Sequence, residues 1–215
     1  MDLKTNPNYL LTSSSLSKKY NNVKKIAYII PGYSESHLRQ RGYHKVAKFF
    51  EERGIEPVHV DIEWKKNNPK RFSDYTEQFL EIFKKPKCTE VYVLGFSYGA
   101  TTAFLTASKT KPKALILCSL SPYFEEDLIY VKPSWVRWFR KNFVESDYSF
   151  TKLAPKIKTK TYLIVGQKED ESCLLRAKDA KKRLSDSHLT LAKGAEHKIG
   201  QKEYLETVRK VISKL

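Results

Sequence analysis

Val91-Tyr92-Val93-Leu94-Gly95-Phe96-Ser97-Tyr98-Gly99 is the stretch that decides the fold. Four apolar residues read as a buried strand and run straight into Gly95. Residues 98–109 then carry a helical pattern. A serine caught between strand and helix, with glycine two positions to either side, sits on a tight turn with strained backbone. Its hydroxyl projects at the end of a sheet, and the helix N-terminus offers backbone N–H groups to developing negative charge. The Gly-x-Ser-x-Gly pattern marks Ser97 as a nucleophile. A merely structural serine in a glycine-rich turn is the competing reading, and the strand-to-helix context disfavours it.

Working outward, strands and helices alternate. Ile26-Ala27-Tyr28-Ile29-Ile30 is a short apolar run ended by Pro31-Gly32. Residues 38–53 place Tyr43, Val46, Ala47, Phe49 and Phe50 on one helical face, and Gly54 stops them. Ile55 to Ile62 reads as a second strand, and Tyr75, Phe79, Leu80 and Phe83 as a second helix. After the nucleophile come strands at 114–118 and 162–165, a helix around 173–185, a short strand at 189–191 and a helix at 200–214. Near-continuous apolar strands between helices indicate a mostly parallel twisted sheet of about six strands, covered on both faces. Functional groups then gather at the carboxyl ends of the strands.

Two segments break the rhythm. Residues 1–24 are rich in Ser, Asn and Lys and read as a lead-in, with one short strand near Tyr9-Leu10-Leu11; residues 25–215 form the domain. Residues 121–155 are too long for a simple crossover and unusually aromatic. Trp135, Trp138 and Phe139 fall at i, i+3 and i+4 opposite Arg137, Arg140 and Lys141, an amphipathic helix.

A serine hydroxyl needs a base. Of five histidines, His197 lies in Gly194-Ala195-Glu196-His197, between the last strand and the last helix, at the same sheet end as Ser97. His188 precedes that strand at the opposite end, His59 lies in a strand and His44 on a helix. His37 follows the first strand without a helper beside it. The acid that orients the imidazole should follow the fifth strand, where Val165-Gly166-Gln167-Lys168-Glu169-Asp170 offers Glu169 or Asp170. Ser, acid, His is the chain order of this architecture. The oxyanion hole needs two N–H donors: Tyr98, next after the nucleophile, and Tyr33, in the Pro31-Gly32-Tyr33-Ser34-Glu35-Ser36 loop after the first strand.

With these residues in place the sequence resembles the α/β-hydrolase superfamily, in its compact single-domain members, over roughly residues 25–214. Gly95-Phe96-Ser97-Tyr98-Gly99 is the most specific element. Family members often carry His-Gly where this chain has Pro31-Gly32, a change that keeps the backbone donor. The family acid commonly lies three residues after the glycine ending its strand, which is Glu169 here, with Asp170 displaced by one. The resemblance implies an α/β-hydrolase fold, with its usual leading hairpin missing or much reduced in this chain, and a Ser-His-acid mechanism through an acyl-enzyme with no metal or organic cofactor. It implies a small acyl substrate bound under a short aromatic lid at about 121–155, with Trp135 and Trp138 as substrate-binding candidates. Carboxylester hydrolysis is the least demanding reaction; thioester or amide cleavage uses the same triad. A catalytically silent binding or regulatory protein on the same fold is the alternative.

Composition narrows the classes. No stretch approaches the roughly 18 apolar residues of a membrane span, and the N-terminus lacks the order of a secretion signal. Cys88, Cys118 and Cys173 are scattered, with no Cys-x-x-Cys pair, so neither a disulfide framework nor a zinc site is expected. A cytoplasmic protein is the expectation. The net charge is +16, but it comes from lysines spread along the whole chain, the pattern of a solvated surface. No nucleic-acid partner is expected, and oligomeric state is left open.

Overall fold

A computed structural model describes residues 24–33, 41–64, 71–83, 89–142 and 148–215. The strands are β1 (Lys24–Ile30), β2 (Glu56–His59), β3 (Thr89–Phe96), β4 (Ala114–Cys118), β5 (Lys160–Gly166) and β6 (Ser187–Ala192). The helices are α1 (Arg41–Glu51), α2 (Phe72–Ile82), α3 (Tyr98–Thr110), α4 (Pro133–Asn142), α5 (Phe150–Leu153), α6 (Glu171–Arg183) and α7 (Lys202–Ile212). The expected lead-in before Lys24, its strand at Tyr9–Leu11, His37, Cys88 and Phe143 lie outside the described residues, as does the Phe139 side chain.

The six described strands form one sheet in the order β2-β1-β3-β4-β5-β6, and every pair is parallel. Alternate residues of the central strands point to opposite faces, as a period of two requires. Ile26, Tyr28, Ile30, Val91, Val93, Leu115, Leu117 and Leu163 join one core with Phe72, Phe79 and Phe104 of α2 and α3. Ala27, Ile29, Tyr92, Leu94, Phe96, Ile116, Cys118 and Ile164 join the other with Tyr43, Val46 and Phe50 of α1 and Tyr204, Val208 and Val211 of α7. Burial on both faces explains why the strands read as unbroken apolar runs.

The second strand is shorter than Ile55–Ile62. It lies at the sheet edge, and although the Val60 N–H still donates to Ile29 O at 2.9 Å, the chain then turns off the sheet. Ile62 and Trp64 bury their side chains in the core with α2 instead. His188 lies inside β6, near its amino end, and its ring stacks on Tyr162. No described helix is long and apolar enough to cross a membrane.

The aromatic stretch between β4 and β5 divides its rings. Tyr123, Phe124 and Phe150 are fully buried, with Phe150 stacked on Phe104 at 4.5 Å. Arg176 of α6 fastens this segment from below. Its guanidinium is 1% exposed, bonds Asp127 at 2.8 Å and lies 4.0 Å from the Phe150 ring centre. Nothing local in the sequence marked this buried cation.

Glu126 holds the next turn by accepting the Phe150 and Thr151 N–H groups, both at 3.0 Å, together with the Ser149 hydroxyl. Its partial burial would raise the carboxyl pKa; the Ser149 and Thr151 bonds outweigh that and pull it to about 2. The folded value lies below the unfolded one, so this stabilisation is present above about pH 4.5 and fades as pH falls toward 2. After allowing for its solvent contact the effect is about 1 kcal/mol. Glu126→Gln is expected to lose that amount at pH 7 and to show a shallower loss of stability below pH 4.5, read by urea unfolding across pH.

Candidate active site

Ser97 carries φ 55° and ψ −121°, a conformation that costs an L-residue free energy and marks a constrained turn. It persists because both neighbouring glycines are sterically required. A Cβ on Gly95 would lie 2.2 Å from Gly99 O, and one on Gly99 would lie 2.3 Å from both Ile30 O and Pro31 O. The turn thus packs backbone to backbone against the end of β1. That contact draws the Pro31–Tyr33 loop to the N-terminus of α3. The Ser97 N–H donates to Cys118 O at 2.9 Å.

The same loop is held from the opposite face of the sheet. Gly32 N–H donates to the hydroxyl of fully buried Tyr43 at 2.9 Å. The Tyr33 ring packs edge-on against Tyr98 at 5.5 Å, which sets Tyr33 beside the first residue of α3.

Glu169 and His197 meet through a second close backbone approach. A Cβ on Gly166 would lie 2.6 Å from Ala195 O and 2.9 Å from Glu196 O, so glycine lets the histidine loop lie across the end of β5. Gln167 N–H to Ala192 O at 3.0 Å and Lys168 N–H to Ala195 O at 2.8 Å fasten the two loops together. Across that junction His197 Nδ1 and Glu169 Oε2 are 2.7 Å apart. The other carboxylate oxygen, Oε1, accepts from Gly166 N–H and Ser119 Oγ, both at 2.6 Å. The Glu169 side chain has no solvent exposure, whereas His197 is 41% exposed and rests on the Phe96 ring at 4.9 Å.

Asp170 lines the same cavity as Ser97, but its carboxylate takes other partners. It caps α6, accepting from Ser172 N–H at 3.2 Å, and pairs with Lys132 at 2.7 Å. The Lys132 bond holds its carboxyl below the usual range. Of the two candidate acids, Glu169 contacts the imidazole.

Ser97 and His197 line one cavity of about 410 Å³, together with Tyr33, Tyr98, Trp135, Trp138 and Cys173. Trp135 and Trp138 stack at 4.8 Å with 13° between their planes, and Tyr33 meets Trp138 edge-on at 5.9 Å. No hydrogen bond joins His197 to Ser97 in this structure; Ser97 Oγ lies 3.2 Å from Ser121 Oγ. Catalytic hydrogen bonds are often loose before substrate binds.

Tyr43, Ser119, Ser121, Tyr204 and Cys173 were not singled out for the site from sequence. Ser119 Oγ contacts both Glu169 and, at 2.6 Å, Tyr204 OH. Ser119 and Ser121 directly follow β4, so their place at the carboxyl end of a central strand was the available signal. Burial, with the nearby Glu169 charge, pushes the Cys173 thiol up to about 12.

The chain has the α/β-hydrolase fold. An α/β-hydrolase enzyme, MGS-MChE2, from a metagenome of Mar Chica lagoon sediments in Morocco, matches with TM-score 0.69 at 21% identity over 89% of this chain and 90% of that one. Est1E from Butyrivibrio proteoclasticus matches with TM-score 0.69 at 17% identity over 91% and 88%. MenH from S. aureus matches with TM-score 0.68 at 16% identity over 88% and 93%. No protein-family model and no curated protein sequence matches the chain.

Proposed function

We propose that the protein is a serine hydrolase that cleaves an ester-type acyl bond. The observation that carries this is the buried Glu169 carboxylate bonded to His197 Nδ1, beside a strained Ser97 in the same cavity. With its proton held on Nδ1, the imidazole presents the Nε2 lone pair as a base. Ser97 Oγ attacks the acyl carbonyl, its proton passes to Nε2, and the Tyr33 and Tyr98 N–H groups hold the resulting oxyanion. Nε2 then protonates the leaving oxygen. Water, deprotonated by Nε2, attacks the acyl-enzyme and releases the acid.

The segment carrying α4 acts as a short lid, with the stacked tryptophans as an apolar wall for the substrate. Trp135→Ala is expected to raise KM for a p-nitrophenyl ester by about tenfold while kcat changes little, since a lost wall removes binding common to ground and transition states.

A fluorophosphonate probe tests the proposal directly. Stoichiometric labelling that disappears in folded Ser97→Ala and in folded His197→Ala is expected. A folded wild-type chain that takes no label would favour a silent binding protein. Labelling without turnover of any ester in a chain-length series would shift the substrate to thioesters or amides.

A further inference from the structure

We infer that Glu169, Cys173 and His197 together form a zinc-binding site that disables the proposed base. The site itself rests on geometry alone; the inhibition rests on the function proposed above.

A carboxylate oxygen, a thiol sulfur and an imidazole nitrogen from these residues all lie within 4.8 Å of one another. Carboxylate, thiolate and imidazole are the protein ligands zinc takes, and a tetrahedral ion holds such atoms roughly 3.3–3.8 Å apart. Nδ1 and Oε2, now 2.7 Å apart, must open slightly to admit the ion. The required play exists on the histidine side, because His197 sits on a loop and is 41% exposed. Cys173 lies in the first turn of α6 and lines the cavity that holds Ser97, so the ion has an entry path and a fourth position open to water. Sequence spacing could not show this trio, because residues 169, 173 and 197 meet only across the junction of two loops.

Charge and protons balance. Zinc replaces the thiol proton of Cys173, which leaves to solvent, and with the Glu169 carboxylate the thiolate neutralises the two positive charges. At His197 the ion takes the place of the Nδ1 proton, which moves through solvent to Nε2 and leaves the ring neutral. Nε2 is then a donor toward Ser97 and cannot accept its proton, so zinc imposes the wrong tautomer on the base.

The test uses the full chain with zinc alone as the probe. Ser97→Ala protein, titrated against a chromophoric chelator, is expected to take up one zinc per chain. Cys173→Ser is expected to weaken that uptake by about tenfold or more. Cobalt in place of zinc should give a thiolate charge-transfer band that Cys173→Ser lacks. In wild type, zinc should block ester turnover, and a chelator should restore it. Uptake absent from folded Ser97→Ala protein, or unchanged in Cys173→Ser, would overturn the site. One zinc bound with the cobalt band present, in a chain that no fluorophosphonate labels, upholds the site and removes the hydrolase reading instead.

Discussion

Glu169→Gln should lower kcat for a p-nitrophenyl ester by about 10⁴-fold, the scale seen when a triad acid becomes an amide. Asp170→Asn should stay within about threefold, as expected for a change outside the reacting groups. The difference follows from where the donors sit. Oε1 of Glu169 accepts the Gly166 N–H, a backbone group that cannot turn away, and the Ser119 hydroxyl. A glutamine must keep its carbonyl oxygen at that position. Its NH₂ then falls where Oε2 was, facing His197 Nδ1, and donates to it. The imidazole is pushed into the tautomer with its proton on Nε2, which cannot deprotonate Ser97. Asp170→Asn loses the exposed ion pair to Lys132 and keeps an oxygen to cap α6, so the imidazole is untouched. Steady-state kinetics on both variants, with circular dichroism to confirm folding, decides the matter. Collapse of the Asp170 variant with Glu169→Gln active would reverse the assignment.

That one-residue ambiguity shows where sequence reading ends. The turn around Ser97 was legible because its requirements are local: an apolar strand, small residues two positions either side, and a helix start. The sheet was legible because burial on both faces leaves unbroken apolar runs in β1, β3, β4 and β5. The edge strand β2 was overestimated, since Ile62 is apolar for the core around α2 rather than for the sheet. Which of two adjacent carboxylates turns inward depends on the approach of Ala195 and Glu196 to Gly166, a contact between loops some thirty positions apart. The aromatic segment posed the same difficulty. Spacing found the helix carrying Trp135 and Trp138, but composition could not separate those cavity rings from Tyr123, Phe124 and Phe150, which fill the core. Tyr43 reads as one more apolar position on α1, and its hydroxyl's bond to Gly32 N–H ties it to the site.

Gly99→Ala is expected to destabilise the fold by more than about 4 kcal/mol, the range reserved for substitutions that break a specific packing constraint. The added Cβ would lie 2.3 Å from two carbonyl oxygens, those of Ile30 and Pro31, and neither is the free end of a side chain. Ile30 is the last residue of β1, locked between β2 and β3, and Pro31 has little backbone freedom. Relief therefore requires α3 to back away from β1, which opens the core under Ala100 and Ala103 and strains the turn at Ser97. Gly54→Ala is the matched control. Gly54 has φ +66° but nothing within 4 Å of its Cβ position, so only the left-handed backbone penalty of about 1 kcal/mol applies. Urea unfolding of the two variants side by side separates collision from conformational preference. Equal midpoints would mean that the turn at Ser97 does not depend on close backbone contact. If some Gly99→Ala chain folds, the retreat of α3 also draws the Tyr33 and Tyr98 amides apart, so labelling of Ser97 by a fluorophosphonate should slow even in the folded fraction.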